Sequence, residues 1–505
     1  MTLLFTGIVP GELLSMKIEE IIKFISPGWA AQRAKNRLRV QASEAWRGAS
    51  RRKITFDGLN TSNGSADDDL RWDLQELRNR SGHLFRNDAI ARGAINTKIV
   101  SVVGSGLRLQ SQIEGADSEQ YESRIEEEFK LWSSRKYECD GRGQSNFYEL
   151  QSLLFQSILE RGDCFVVFSY NKRKGNRYGL KLNLIEGDRV SNPNGQSDTD
   201  DLSMGIKYDK SGCAIGFWYS TSNRYGSVKK WTYQPFYTFS GRQVALHLFN
   251  QTRVDQSRGI PDLAPVIELL KQLGDFTDAY LQKALVSAIL SVFVKSESGQ
   301  GMDGLSTLDQ NQQATGRYKL GSGTVIQGLP DESVDIIESD TPNTSFDPFV
   351  TAITRNIGAA LNVPYEVLVK HFTSSYTAAQ AAFMEAWRYF RTRRRFLIDN
   401  FCMPVFETWL DEAASTYINL PGYSTGDILI KSRYQSCEWV GDPQGHIDPL
   451  KANKADELAE KNNWVSGSYN ASLRGQDWRK VNLKRKSENQ MTINAGLILP
   501  LEGTA

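Results

Sequence analysis

Hydrophobic residues at helical spacing predict two helices on either side of a short polar loop, between residues 347 and 410. The apolar positions of the first helix are Val350, Ile353, Ile357 and Leu361. We expect this helix to begin with Asp347 as its N-cap and Pro348 at its first position. It should end before Pro364, because a proline disfavours the α conformation in the residue that precedes it.

The second helix follows the loop Lys370-His371-Phe372-Thr373-Ser374-Ser375-Tyr376. Thr377 and Gln380 have the spacing of a capping box, and the pattern then runs to Pro404. Its apolar face consists of Phe383, Trp387, Phe390, Leu397 and Phe401. A second face carries Arg388, Arg391 and Arg395 at i, i+3 and i+7. This second face concentrates positive charge, and the simplest interpretation is a solvated basic face on a core helix.

The rest of the chain alternates between helical and strand-like patterns. Helices are predicted over 69–103, 118–134 and 146–160, and a long one starts at Asp262 as N-cap. Strands are predicted at 107–110, 164–168, 180–185, 205–208, 214–219 and 244–249. Residues 291–343 contain three short strand patterns, at 292–294, 324–326 and 333–337, and form a small knob between two helical stalks. The fold class is therefore α+β, with an antiparallel β region inserted in a mostly helical chain.

Both ends of the chain look peripheral. Residues 26–53 are basic and residues 58–69 are polar, which is typical of an arm followed by a linker. The arm could contact nucleic acid or dock on a neighbouring chain. Thinly apolar helices are predicted from Asp448, over 466–473 and after Trp478.

Composition limits the possible functions. The 505 residues carry 60 basic and 59 acidic side chains, a net charge of +1, so the whole protein is not a polycation that coats nucleic acid. The five cysteines include no C-x-x-C pair, so we expect neither a zinc site nor a disulfide framework, and a reducing compartment is the default. No apolar run approaches the roughly 20 residues that span a bilayer, so a soluble protein without membrane contact is expected.

Catalytic motifs are not evident. Four histidines, His83, His247, His371 and His446, are scattered singly. Ser133 and Lys136 fit S-x-x-K, but no supporting motif accompanies them. An acidic group at 198–201 is more typical of a turn than of a metal site. We therefore expect no enzyme, no catalytic residue, no metal and no cofactor, although an enzyme that uses acidic residues of the β region remains an alternative.

A collinear series of short blocks resembles the lambda-type tailed-phage portal proteins. The blocks are Arg86-Asn87, Ala91-Arg92-Gly93-Ala94, Val102 to Gln110, Cys139-Asp140, Arg161-Gly162-Asp163, Leu184-Ile185-Glu186, Gly205-Ile206 with Asp209, His247-Leu248-Phe249, Arg258-Gly259-Ile260-Pro261, Leu269 to Leu273, Asn362-Val363-Pro364-Tyr365 and Asp448-Pro449-Leu450-Lys451. They span most of the chain, and their common order is more specific than any single block.

The resemblance implies a portal fold with named parts. These are an N-terminal basic arm and linker (1–68), a wing domain of helices then antiparallel strands (69–261), a first stem helix (262–290), a small α/β clip (291–343), a second stem helix (344–364), a tunnel loop (365–376), a long kinked wing helix (377–412) and a helical crown (413–505). The loop departs from the family pattern Asn-Tyr-Ser-Ser, because the run here is Ser375-Tyr376-Thr377-Ala378.

The resemblance also implies a function. Portal proteins form a ring, usually of twelve copies, at one capsid vertex, and double-stranded DNA passes through it during packaging and ejection. The candidates to face this DNA are the loop residues Lys370, His371, Phe372, Thr373, Ser374, Ser375 and Tyr376. Arg388, Arg391 and Arg395 are candidates for subunit contacts or channel charge. The implied partners are other copies of the chain, DNA, the terminase large subunit, a head-completion or adaptor protein, scaffold and the major capsid protein. The implied location is the host cytoplasm during assembly and then the virion. The alternative is a generic DNA-binding protein that uses the basic arm and the arginine-rich helix.

Overall fold

Residues 64–113, 118–222, 229–288, 292–296, 332–336, 346–371, 376–444 and 449–496 are described by the computed structural model, together with four isolated positions before residue 64. The chain divides into two units, Met1–Gly64 and Ser65–Ala505. The fold below is that of the second unit. Most of the predicted arm and linker and the predicted strand at 324–326 lie outside the described residues.

Helices and strands follow the order that the hydrophobic patterns predicted, with different bounds. The helices are α1 (Ala66–Arg71), α2 (Leu74–Asn87), α3 (Ala89–Val102), α4 (Ser118–Ser134), α5 (Lys136–Cys139), α6 (Phe147–Arg161), α7 (Ile267–Ala288), α8 (Phe346–Leu361), α9 (Tyr365–Val369), α10 (Tyr376–Leu397), α11 (Met403–Thr416), α12 (Ile428–Gln435), α13 (Pro449–Lys461), α14 (Gly467–Leu473) and α15 (Trp478–Asn494). The strands are β1 (Arg108–Ser111), β2 (Asp163–Tyr170), β3 (Leu180–Glu186), β4 (Leu202–Ser203), β5 (Ile206–Tyr208), β6 (Ala214–Ser222), β7 (Lys229–Pro235), β8 (Ala245–Phe249), β9 (Val292–Ser296), β10 (Glu332–Ile336) and β11 (Cys437–Val440).

The single helix predicted over 69–103 is wrong, because the segment forms three helices. The last break falls at Asp88, whose backbone is extended and whose carboxylate accepts a hydrogen bond from the Ala91 amide at 2.7 Å. This is N-cap geometry, so Asp88 starts a new helix. The aspartate within the apolar helical pattern was the sequence feature that could have predicted this break.

Two antiparallel sheets form the predicted β region. One has the order β3-β2-β8, and the other has the order β4-β5-β6-β7. Strand β7 was not predicted, although Trp231 and Tyr233 alternate with polar residues there. Strand β1 pairs with the distant strand β11, with Arg108 opposite Val440. Local periodicity does not predict such a partner. The mixture of helices and antiparallel sheets confirms the α+β class.

The main core joins the N-terminal helices to the long helical segment near residue 400. Phe129 of α4 meets Trp409 of α11 edge to face, with ring centroids 5.0 Å apart, and both side chains are buried. A smaller cluster between the two sheets contains Phe165 and Phe217, at 4.5 Å between centroids. The segment from α10 to α11 therefore lies inside the fold along much of its length.

The long helix begins one residue earlier than predicted, and Pro404 does not end it. Helix α10 begins at Tyr376, so Thr377 is not its N-cap. The helical path also continues through Pro404. A π-helical turn at Ile398–Cys402 precedes α11, and Pro404 lies in the first turn of α11, where a proline breaks no required hydrogen bond.

The two stalk helices also begin at different positions from those predicted. Helix α7 starts at Ile267 after a 3₁₀ turn, and Asp262 accepts a hydrogen bond from the Lys98 ammonium at 2.5 Å instead of capping it. Helix α8 starts at Phe346, which places Asp347 inside its first turn. It ends at Leu361, before Pro364 as predicted. Strands β9 and β10, at the far ends of the stalks, pair antiparallel with Val292 opposite Ile336.

The C-terminal helices pack loosely. Helices α14 and α15 contain no buried residue, and no described side chain of α13 is buried. Their predicted positions are confirmed. Among the described residues, no helix combines the length and the apolar character that a bilayer crossing requires.

Candidate DNA-facing loop and ring contacts

The polar loop predicted to face DNA follows α9 in the chain and leads into α10. Residues 365–369 form the short helix α9, which ends at Lys370 in the left-handed conformation with φ of 55°. Lys370 and His371 are exposed. Phe372, Thr373, Ser374 and Ser375 lie outside the described residues, and Tyr376 is the first residue of α10.

A tight reversal leads from α8 into this loop. The Val363 amide donates to the Gly358 carbonyl at 2.9 Å, which closes the end of the helix. A Cβ atom on Gly358 would lie 2.6 Å from the Val363 carbonyl oxygen, so a side chain there would push the reversal apart. Val363 and Leu368 are both buried, and they fix the base of the loop to the core.

The arginine-rich stretch of α10 divides into two groups. Arg388, Arg391 and Arg395, the three predicted candidates, are exposed. Arg388 pairs with Glu385 at 3.4 Å, and Arg395 pairs with Asp399 at 2.8 Å. The structure therefore places the predicted basic face in solvent, and it neutralises part of that face within the same helix.

The other two arginines, Arg393 and Arg394, hold α10 against the fold. Arg394 donates from Nε to the Val102 carbonyl at 2.9 Å and from Nη2 to the Ser101 carbonyl at 3.0 Å. These are terminal carbonyls of α3, which lack partners within their own helix. The buried Arg393 donates to the Asn250 side chain at 2.7 Å. Neither contact was predicted from the sequence. Arg394 lies seven residues after Trp387 of the apolar face, and this spacing could have indicated that it faces the core.

The stalk helices α7 and α8 meet through stacked aromatic rings. Phe346 lies 4.1 Å from Tyr280 and 5.6 Å from Phe276, measured between ring centroids. The same helix α7 leaves Leu281 and Leu285 more than half exposed, at 59% and 58%. Helix α7 therefore has one face that packs against α8 and leaves two leucines largely exposed among the described residues.

A buried ionic cluster joins the wing helices to both sheets. The Asp163 carboxylate is fully buried and accepts hydrogen bonds from Arg78 at 2.7 Å and Arg258 at 2.6 Å. His247 Nε2 lies 3.3 Å from the same carboxylate. Arg258 also donates to three backbone carbonyls, those of Gly187, Val190 and Met204. Its guanidinium is therefore well satisfied although it is buried.

Charge in this cluster is set by mutual pairing. Burial raises the pKa of Asp163, but Arg258 and Arg78 outweigh it and hold that pKa well below its usual range. Burial lowers the pKa of Arg78 to about 10, so this guanidinium remains charged at neutral pH. Burial also lowers the pKa of His247. At neutral pH the Asp163 carboxylate thus lies between two guanidinium cations and beside a neutral imidazole, and a second carboxylate, that of Asp188, lies 3.8 Å from Arg78.

The same cluster explains two of the sequence blocks. Arg161-Gly162-Asp163 and Arg258-Gly259-Ile260-Pro261 lie against each other in the fold. A Cβ atom on Gly162 would lie 2.2 Å from the Gly259 carbonyl oxygen, and one on Gly259 would lie 2.0 Å from the Gly162 oxygen. The two chain segments therefore approach at a distance that only glycine permits.

No described group resembles a catalytic or metal centre. The Ser133 hydroxyl bonds to the Tyr148 hydroxyl at 3.2 Å, whereas the Lys136 ammonium lies over the Tyr137 ring, so the S-x-x-K pair is not assembled. Asp198 pairs with Arg71 at 2.7 Å and forms part of a turn. Within the described ranges, no three His, Cys, Asp or Glu side chains converge as metal ligands do.

Comparison with known proteins identifies the family. The model of the family described as phage portal protein, lambda family, matches residues 52–394. The chain therefore belongs to the lambda family of phage portal proteins. It is a structural, non-enzymatic component of the virion.

Two curated relatives are similar along most of the chain. Portal protein B of Escherichia phage lambda is 24% identical over 450 residues, which cover 83% of this chain and 84% of that protein. The portal protein of Escherichia phage N15 is 25% identical over 473 residues, which cover 88% and 89%. Among solved structures, the neck of a native gene transfer agent particle contains a chain with a TM-score of 0.42 and 15% identity, over 80% of this chain and 93% of that chain.

Proposed function

We propose that about twelve copies of this chain close into a ring at one capsid vertex, and that double-stranded DNA passes through the ring during packaging and ejection. In this proposal the ring assembles in the host cytoplasm with scaffold and major capsid protein, and remains in the virion. The terminase large subunit docks on it first, and a head-completion or adaptor protein docks later.

The stalk pair is the observation that carries this proposal. Helix α7 has 22 residues and is therefore about 33 Å long, and α8 packs against it through Phe346. The exposed Leu281 and Leu285 give the stalk an uncovered apolar face, which favours burial against another chain. Stalks placed side by side around an axis would cover these faces and leave a central passage.

The charge balance supports passage rather than retention of DNA. Duplex DNA carries one negative charge per about 1.7 Å, so a densely cationic bore would bind it tightly and slow its movement. The chain has a net charge of only +1. We propose that the loop 370–376 faces the DNA, with the exposed Lys370 and His371 at its described end.

The exposed arginines of α10 are proposed to act between subunits or on the charge of the channel. Arg391 makes no ion pair with a described residue, and Arg395 makes an exposed pair within its own helix. An exposed pair at i, i+4 contributes about 0.3–0.5 kcal/mol, so these residues add little to the single chain. The internal pairs of Arg388 and Arg395 also disfavour the generic DNA-binding alternative, because they reduce the charge available to a ligand.

A deletion in the clip tests the docking part of the proposal. Ser296 and Glu332 are directly opposite each other in the β9–β10 pair, so an Asn-Gly turn can join them in place of residues 297–331. We expect this chain to fold and to form rings, but not to bind the phage's terminase large subunit in a pull-down. The stalks and wing, which hold the ring together in this proposal, remain intact.

The control is the full-length chain carried through the same purification and pull-down. Ring formation by both proteins, with terminase binding by the full-length chain alone, supports the proposed role of the clip. A shortened chain that still binds terminase with full-length affinity would show that the motor docks elsewhere.

A further inference from the structure

The last helix, α15, is strongly basic. Its basic residues are Arg479, Lys480, Lys484, Arg485 and Lys486, and its one acidic residue is Glu488. Five positive charges less one negative charge give this helix +4, whereas the whole chain has +1. The remainder of the chain is therefore net acidic, and the positive charge is local.

The first turn of α15 is anchored to the wing. Asp477 is its N-cap and accepts hydrogen bonds from the Arg479 and Lys480 amides at 2.9 and 3.2 Å. The Lys480 ammonium pairs with Glu126 of α4 at 2.5 Å, and Arg479 pairs with the buried Glu122. These contacts fix where the helix begins and use the charge of its first two cations.

The next three cations remain available. Lys484, Arg485 and Lys486, called here the 484–486 cluster, are exposed and make no ion pair with a described residue. In this they differ from Arg388 and Arg395 of α10, which both pair with carboxylates of their own helical segment. Helix α15 thus has three consecutive exposed cations without an ion pair to a described residue, whereas Arg391 is the one such residue among the three predicted arginines of α10.

A groove beside the helix extends the cationic surface. Its volume is about 430 Å³, and Arg108, Lys130, Lys480 and Lys484 line it together with Glu126 and Asp477. Both of these carboxylates already contact the Lys480 ammonium, at 2.5 and 3.1 Å. The groove consequently adds Arg108 and Lys130 to the positive side of the helix.

We propose that α15 and this groove bind the phosphate backbone of duplex DNA, without reading its sequence. From Lys480 to Lys486 the helix rises about 9 Å, and a duplex carries about five phosphate charges over that length. The 484–486 cluster supplies three cations that make no ion pair with a described residue over part of that length. Phosphate contacts of this kind set affinity and salt dependence but carry no base specificity.

The distribution of apolar residues favours DNA over an anionic membrane. Membrane-surface helices place their apolar residues on one face, opposite the basic face. In α15 the apolar residues point in different directions around the axis, at Trp478, Val481, Leu483, Met491 and Ile493. The inference relies on the proposed function only for the presence of duplex DNA at the assembled ring.

The test compares two variants with equal net charge. One carries Lys484→Gln, Arg485→Gln and Lys486→Gln. The other carries Lys174→Gln, Lys210→Gln and Lys454→Gln, three exposed lysines on separate parts of the surface. Binding of the full-length chain to a labelled duplex of about 30 base pairs is measured by fluorescence anisotropy between about 50 and 200 mM salt.

Each phosphate contact contributes about 0.9 to the slope of log affinity against log salt. We therefore expect the α15 variant to lower this slope by about 2 to 3 units, and the scattered variant to leave it close to wild type. The double variant Lys484→Gln, Lys486→Gln should lower the slope by about 2 units. The slope should therefore fall in proportion to the number of cations that are removed.

Mass photometry of the same samples separates this inference from the proposed function. Ring formation by the wild-type chain, together with a reduced salt slope in the α15 variant, supports the inference. An unchanged slope in that variant, an equal loss in the scattered variant, or a preference for anionic vesicles over the duplex would overturn it. A wild-type chain that remains monomeric and binds the duplex tightly, with a steep salt dependence, would contradict the ring proposal, and the slope comparison between variants would still decide the role of α15.

Discussion

Replacement of Asp163 by Asn should severely destabilise the wing. Asp163 is fully buried, and Arg78 and Arg258 beside it are 2% and 1% exposed. The substitution preserves the size of the side chain and removes its charge. It therefore leaves the buried Arg258 without a counterion and leaves Arg78 with Asp188 alone, at 3.8 Å.

The expected magnitude follows from this geometry. Removal of one partner from a buried ion pair costs about 3–5 kcal/mol, because the other charge remains uncompensated. Arg258 would keep its three backbone carbonyl acceptors, and the amide oxygen of Asn can still accept one hydrogen bond. These contacts place the expected loss toward the lower end of that range, at about 3 kcal/mol.

Chemical denaturation followed by tryptophan fluorescence measures this loss, with hydrogen exchange of β2 and β8 as a local probe. The matched control is Asp200→Asn, the same substitution at an exposed position, which should change the unfolding free energy by less than about 0.5 kcal/mol. If Asp163→Asn were as stable as this control, the cluster would not hold the wing together, and the reasoning would fail.

Three further predictions follow from the wing and from α10. The pKa of His247 is lowered in the folded state, so the unfolded chain binds a proton first as pH falls below about 6.5. The free energy of unfolding should therefore decrease by up to about 1.4 kcal/mol per pH unit, and His247→Gln should lack this component. Gly162→Ala should cost more than about 2 kcal/mol in denaturation, because its Cβ atom would meet the Gly259 carbonyl. Arg391→Glu with Arg395→Glu should leave the monomer stable but impair ring assembly or DNA packaging, measured by particle mass and by DNA content.

Matched variants make these outcomes decisive. Gly212 also has a positive φ, but no atom lies within 4 Å of the place that a Cβ atom would take there, so Gly212→Ala should cost less than Gly162→Ala. Arg80→Glu removes another exposed i, i+4 pair, on α2, and should not affect assembly. Equal costs for the two glycines, intact rings with full DNA filling in the Arg391/Arg395 variant, or an unchanged pH profile in His247→Gln would each refute the corresponding prediction.

Periodicity predicted the types of element well because most helices and strands here bury one face. The stalks, the strands β2, β3 and β8, and the C-terminal helices were all expected from spacing alone. Boundaries were less predictable, because they depend on capping contacts. Asp88 starts a helix through a bond to its own backbone neighbour, while Asp262, which has the same side chain, is occupied by Lys98.

The candidate site was only partly predictable, because its contacts join residues that are far apart in the sequence. The sequence places Arg388, Arg391 and Arg395 on one face, and the structure confirms that they are exposed. The sequence does not reveal which arginines form hydrogen bonds or ion pairs within the chain. Arg394 caps α3 through carbonyls that lie almost 300 positions earlier in the chain, and Asp163 meets Arg258 across 95 positions. Contacts of this range depend on the tertiary fold, which no local pattern encodes.

The mass and symmetry of the purified protein test the central claim most directly. Mass photometry with negative-stain class averages should show particles of about twelve 56.8 kDa chains, roughly 680 kDa, around a central channel. A uniform monomer that binds duplex DNA tightly, with a steep salt dependence, would contradict the account and favour a generic DNA-binding protein instead.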